Sequence, residues 1–189
     1  MDRVEYIKKR ISGKVLDVGY YACTLHEEVL KTGGRENVFG IDTECPQETN
    51  YYKKASAENI PFNANEFDTL IAGELVEHLA TPELFIKEAN RVLKQGGRMV
   101  ITTPNRGSLM HKIFHNNNAP LHLSLLNIKD LTELLEKNGF EIEDFSCMPY
   151  TIESSEGSSK PWSFPFRKAI NYFLPKALRE EMVVTAKKK

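Results

Sequence analysis

Three groups of residues in this chain have types and spacings suited to chemistry. Asp17 and Gly19 lie in the run Val15-Leu16-Asp17-Val18-Gly19-Tyr20-Tyr21-Ala22-Cys23, an apolar stretch that breaks at a turn residue. Asp42 follows a second apolar run, Val38-Phe39-Gly40-Ile41, where a carboxylate at a strand end could accept both hydroxyls of a ribose. Glu74, Glu77 and His78 come directly after Gly73. If a helix starts near Glu74, the i, i+3 and i+4 positions share one face, and two carboxylates with an imidazole could grip a divalent ion. The favoured reading of that trio is structural, with Glu77 and His78 as capping and core-bonded residues, so no metal is assigned. The first two groups point to a ligand containing adenosine.

The elements that must position these residues are legible from pattern. The run 14–18 reads as a strand, and Thr24-Leu25-His26-Glu27 reads as a capping box opening a helix over 24–32 that Gly33-Gly34 closes. The ligand loop is then residues 19 to 23, facing the N-terminal N–H groups of that helix. Further strands are expected at 38–42, 51–55, 67–72, 98–103, 140–147 and 181–186. Thr81-Pro82-Glu83 starts a helix that Gly96-Gly97 stops, and Asn127 caps another whose Leu131, Leu134 and Leu135 face inward. A short helix is expected within 2–11, at the cleft edge. Residues 104 to 126 read as loop, on the substrate side. His26, His111 and His115 read as solvated or loop histidines.

Four further segments appear in fixed order: Ala57-Glu58-Asn59-Ile60-Pro61-Phe62, Phe67 to Leu79, Arg91-Val92-Leu93-Lys94-Gln95-Gly96-Gly97 and Thr102-Thr103-Pro104-Asn105. With the "LDVG" run they make residues 13 to 147 resemble the class I S-adenosylmethionine methyltransferases, a series more specific than any one motif. The resemblance implies an α/β fold, a Rossmann-like doubly wound sheet of order 3-2-1-4-5-7-6 with the last strand antiparallel. It implies S-adenosylmethionine as cofactor. Asp17, Gly19, Tyr20 and Tyr21 would surround its methionine part, Asp42 and Thr43 its ribose, Ser56, Ala57 and Glu58 its adenine, and Gly73 and Glu74 the reacting methyl. Glu74-x-x-Glu77-His78, with His122 as a later histidine, is similar to metal-dependent O-methyltransferases of that family.

The chain departs from the family at one place. Members usually carry Asp-x-Gly-x-Gly-x-Gly, whose later glycines allow close backbone approach or positive φ, whereas this chain has Tyr21 and Cys23 there. Either the side chains point outward, with Tyr21 packing on the cofactor, or the pocket is occluded and the protein is a silent methyltransferase-like binder. A nicotinamide dehydrogenase is disfavoured, because neither further glycine of a dinucleotide fingerprint follows Gly19.

The 189 residues suit one domain over 1–189, with 152–180 as a lid or cover before the final strand. A net charge of −1 supplies no global field for nucleic acid, so none is expected as partner. Three cysteines without metal-type spacing, and a charged Met1 to Arg10 without an apolar core, argue for the reducing cytoplasm. No run reaches the roughly 20 apolar residues of a spanning helix. The amphipathic, partly basic stretch from Trp162 to Arg179 could cover the sheet or touch a lipid interface. The acceptor is therefore expected to be a small or lipid-like molecule, and oligomeric state is unreadable.

Overall fold

The computed structural model describes residues 3–21, 23–114, 122–148, 170 and 173–189. Seven strands form one sheet: β1 (Val15–Val18), β2 (Val38–Asp42), β3 (Tyr52–Lys54), β4 (Phe67–Gly73), β5 (Leu93–Pro104), β6 (Phe140–Met148) and β7 (Glu181–Lys188). Their order is β3-β2-β1-β4-β5-β7-β6, with β7 antiparallel to both β5 and β6 and the other neighbours parallel, as the family resemblance implies.

The sheet is wound on both faces because its strands are apolar on both. Val15, Val38, Ile71, Val100 and Val183 pack with Tyr6 and Ile7 of α1 (Arg3–Lys8) and with Leu25, Val29 and Leu30 of α2 (Thr24–Gly33). Leu16, Ile41, Leu70, Met99 and Val184 point the other way, onto Phe85, Ile86 and Ala89 of α3 (Pro82–Val92) and Leu131 and Leu135 of α5 (Ile128–Lys137). Alternation within parallel strands thus fills two cores, the expected consequence of burying both faces. Between α3 and α5 lies a short α4 (Leu109–Phe114).

Several local expectations need correction. The N-cap of α2 is Cys23, with extended backbone and no side-chain cap bond, so Thr24 already lies within the helix and the capping box does not form. A box does form at α5, where Asn127 and Asp130 exchange bonds. Helix α3 ends at Val92, before the glycines. Leu93 starts β5 by pairing with Phe67, and the register then shifts so that Arg98 meets Thr69, leaving Gly96 at φ 74° inside the strand segment. Helix α4 occupies part of the expected loop 104–126. Helix α1 is shorter than expected. The lid or cover at 152–180, the amphipathic stretch from 162 and His115 fall wholly or mostly outside the described residues. No helix among the described residues is long and apolar enough to cross a membrane.

Candidate cofactor and acceptor site

Parallel register brings the candidate residues to one edge. Val18 lies between Ile41 and Ala72, and Gly19 donates its N–H to the Ile41 carbonyl at 2.9 Å, so Gly19, Asp42 and Gly73 stand in line at the carboxyl ends of β1, β2 and β4. Gly19 has φ 81°, and a Cβ there would come within 3.3 Å of Leu75. A left-handed backbone facing the next loop this closely is where a side chain would be costly. This crevice outside the strand ends is where open α/β sheets bind ligands.

The two tyrosines after Gly19 separate. Tyr20 folds inward: its ring lies 5.0 Å from that of His26 and 4.8 Å from that of Tyr52, and its hydroxyl donates to Cys45 Sγ at 3.2 Å. It lies over Gly40, where a Cβ would meet the ring at 2.7 Å, so the glycine in β2 makes room for it. Tyr21 turns outward, 42% exposed, and its N–H donates to Asp42 Oδ2 at 3.0 Å. Asp42 Oδ1 accepts the Glu44 N–H at 2.9 Å and lies 3.5 Å from the Thr43 hydroxyl. The Asp42 carboxylate therefore ties the ends of β1 and β2 together.

Asp17 is buried in β1, its Oδ2 2.7 Å from His26 Nδ1, while His26 Nε2 lies 3.1 Å from the Tyr52 hydroxyl. Desolvation raises the Asp17 pKa and the His26 bond opposes it. His26 is thus not solvated as its sequence context suggests; it is buried between β1 and β3. Ala57 is buried, Ser56 Oγ accepts the Glu58 N–H, and Glu58 Oε1 accepts the Thr81 N–H at the start of α3. An open surface pocket of about 380 Å³ lined by Tyr20, Tyr21, Cys23, Thr24, His26 and Glu27 adjoins the loop without including Asp42, Ala57 or Gly73.

Glu74 does not begin a helix. Its N–H continues the β4 ladder to the Thr102 carbonyl at 2.9 Å, and its backbone then turns at φ 52°; only a 3₁₀ turn, Val76–His78, follows. The three residues therefore do not share a helical face. The Glu74 carboxylate accepts from Thr102 Oγ1 at 3.1 Å and lies 3.5 Å from Arg3, which also reaches Glu181 at 3.5 Å. Glu77 is 1% exposed, accepting from Thr103 Oγ1 at 2.9 Å. Its carboxyl pKa is pushed up to about 8 by desolvation and then by the neighbouring Glu74 charge. The Glu77 carbonyl accepts the Leu123 and Ser124 N–H groups at 2.8 and 3.0 Å. That anchor brings His122 to His78, ring centroids 5.2 Å apart. Glu77, His78 and His122 each present a ligand atom, all within 4.8 Å of one another, and Glu74 is not among them. Burial, with His78 and His111 nearby, lowers the His122 pKa, which favours the neutral imidazole a metal requires.

Sequence reasoning missed the contacts by which Arg3, His26, Tyr52, Thr102 and Thr103 support these residues. None of these contacts has a local signature, because each joins residues on different elements.

The fold is shared with solved structures. A Mesorhizobium loti S-adenosylmethionine-dependent methyltransferase superposes with a TM-score of 0.68 at 13% identity, over 98% of this chain and 95% of that one. A Mycolicibacterium smegmatis protein, named as a probable S-adenosylmethionine-dependent methyltransferase, is 38% identical over 85 residues, 45% of this chain and 33% of its own. The rat mitochondrial ubiquinone biosynthesis O-methyltransferase is 28% identical over 191 residues, 87% of this chain and 53% of its own. The chain thus spans about half or less of the length of these relatives. Residues 2–144 match the family described as "Methyltransferase domain". With the strand order, the crevice and this match in agreement, the chain belongs to the class I methyltransferase family, whose cofactor is S-adenosylmethionine.

Proposed function

We propose that this protein binds S-adenosylmethionine in the crevice between Gly19, Asp42 and Gly73 and transfers its methyl group to a small or lipid-like acceptor. The observation that carries this reading is the convergence of a left-handed Gly19, an acidic β2 terminus and the Gly73–Glu74 turn at one sheet edge. The residues present fit the cofactor: Gly19 leaves open the space a Cβ would fill against Leu75, and the outward Tyr21 does not close it. Asp17 Oδ1 makes no hydrogen bond among the described residues and is the acceptor suited to an ammonium group. Asp42 and Thr43 suit the ribose, Ser56, Ala57 and Glu58 flank the adenine side, and Tyr20 shapes the loop from within. When bound, the cofactor supplies an electrophilic sulfonium methyl. Displacement at that carbon is in line, so the chain's main contribution is to hold the reactants close and aligned. Gly73 and Glu74 border that position, and the backbone bonds to Thr102 fix the turn they make.

Calorimetry with S-adenosylhomocysteine and with NAD tests the reading. Saturable binding of the first and none of the second is expected. NAD binding would overturn the cofactor reading of the crevice, and binding of neither would make the protein a silent methyltransferase-like scaffold.

The cluster of Glu77, His78 and His122 favours a second reading, that the acceptor atom is oxygen and a divalent ion assists. A carboxylate and two imidazoles suit manganese, magnesium or zinc, and such an ion lowers the pKa of a bound hydroxyl. Because Glu77 must lose its proton to bind, Mn²⁺ affinity should rise as pH approaches 8, by up to about tenfold per unit, and should be lost in His122→Ala. Mn²⁺ titration at several pH values measures this. Equal affinity in wild type and His122→Ala would leave these groups structural.

A further inference from the structure

We infer that His26 is a positioning residue for the cofactor loop: through Nδ1 it holds the Asp17 carboxylate, and through its ring it seats Tyr20, so that the loop keeps its shape without the later glycines of the family pattern. The inference rests on the reading of the crevice as the S-adenosylmethionine site.

Three elements meet at this imidazole. Asp17 comes from β1, Tyr52 from β3, and His26 itself from the first turn of α2. Asp17 and His26 are 3% and 7% exposed, so leaving the facing Oδ2 and Nδ1 without each other would be costly. An ionised carboxylate can only accept, which places the proton on Nδ1 and orients the ring. Nε2 then meets the Tyr52 hydroxyl at 3.1 Å.

The loop is built on that ring. Tyr20, the residue following Gly19, packs at a tilt against His26 and Tyr52 and fills the space above Gly40. With Tyr20 committed inward, the next amide, that of Tyr21, points at Asp42 Oδ2 and is held there at 3.0 Å. A continuous set of contacts therefore runs from Asp17 through His26 and Tyr20 to Tyr21 and Asp42. It joins the two carboxylates assigned to opposite ends of the ligand. In relatives with glycine at the positions of Tyr21 and Cys23, small residues allow the turn; here inward packing of the Tyr20 side chain selects a single loop conformation.

Isosteres separate the two ring nitrogens. In His26→Asn the amide nitrogen takes the place of Nδ1, keeping the bond to Asp17 and losing Tyr52. In His26→Gln the amide oxygen takes the place of the accepting Nε2, keeping Tyr52 and losing Asp17. Tyr52→Phe removes only the outer bond. Both His26 variants lose the ring, so thermal midpoints should fall similarly in the two. A positioning role predicts that S-adenosylhomocysteine affinity falls about tenfold further in His26→Gln than in His26→Asn, the order expected for one lost charge-assisted hydrogen bond, and that Tyr52→Phe stays within about threefold of wild type. Hydrogen exchange at the Tyr21 amide, read by NMR without ligand, should quicken more in His26→Gln than in His26→Asn. Equal exchange in the two would overturn the inference, as would equal affinity. Should wild type bind no S-adenosylhomocysteine, the cofactor reading fails, while the exchange comparison still decides the role of His26 in the loop.

Discussion

Replacing Asp42 by alanine is expected to raise the dissociation constant for S-adenosylhomocysteine by one to two orders of magnitude. The carboxylate stands at the end of β2 and already accepts one backbone N–H on each oxygen, from Tyr21 and Glu44. Each oxygen has a second lone-pair direction, which is what a ribose diol would use. Alanine removes both capacities together: the ligand loses hydrogen bonds to a charged acceptor worth about 1.5–3 kcal/mol each, and the Tyr21 amide loses its anchor. At about 1.4 kcal/mol per factor of ten, the net loss of one such bond gives the stated range. Calorimetry on a variant whose circular dichroism matches wild type measures it. An unchanged constant would exclude Asp42 from the ligand site and leave it as a tie between β1 and β2.

In chelator-treated protein, Glu77→Gln is expected to be more stable than wild type at pH 8 and close to it at pH 4.5. The folded carboxyl titrates near 8, because burial disfavours its charge and Glu74 and Glu181 repel it, whereas an unfolded glutamate titrates near its ordinary 4.5. Between these values the folded chain holds the proton more tightly than the unfolded chain. The stabilisation is thus fully present below pH 4.5 and is lost as pH rises toward 8. Each unit of difference corresponds to about 1.4 kcal/mol, so the wild-type loss across the window is on the order of a few kcal/mol. Glutamine stays neutral, can still accept from Thr103, and should lack that slope. For a chain of this size the effect is a difference of roughly 5 °C or more in thermal midpoint at pH 8. Equal midpoints at pH 8, with parallel pH profiles, would mean that Glu77 is ionised in the folded protein.

Both predictions concern groups whose environment was only half legible beforehand. The positions of Gly19, Asp42 and Gly73 at strand ends follow from apolar runs that stop at turn or acidic residues, because a buried parallel strand is mostly apolar and its end need not be. The capping box at Asn127 and Asp130, and Pro82 at the start of α3, are likewise local signals, satisfied by residues within one helical turn. The motif order made the strand order an inference from kinship, and hydrogen-bond register places the same strands side by side.

What the tertiary structure decided concerns partners far apart in sequence. Glu74 reads as the first residue of a helix, but its amide is taken by Thr102 and its carboxylate faces Arg3, so the chain turns through positive φ and the three-residue helical face dissolves. The metal-capable cluster exists nonetheless, because the Glu77 carbonyl binds the Leu123 and Ser124 amides and sets His122 beside His78. His26 sits at a position that periodicity leaves open to solvent, and Asp17 buries it. Whether Tyr20 or Tyr21 would turn inward could not be read from two identical residues; the cavity above Gly40, between His26 and Tyr52, accommodates the ring of Tyr20. Periodicity and capping are energies between residues a few positions apart, and the sequence by itself therefore determined most of the elements, with the starts of α3 at Pro82 and α5 at Asn127. Desolvation, ion pairing and ring packing act between whichever groups the fold brings within a few ångströms, so the protonation, orientation and grouping of the site residues were settled only by the tertiary structure.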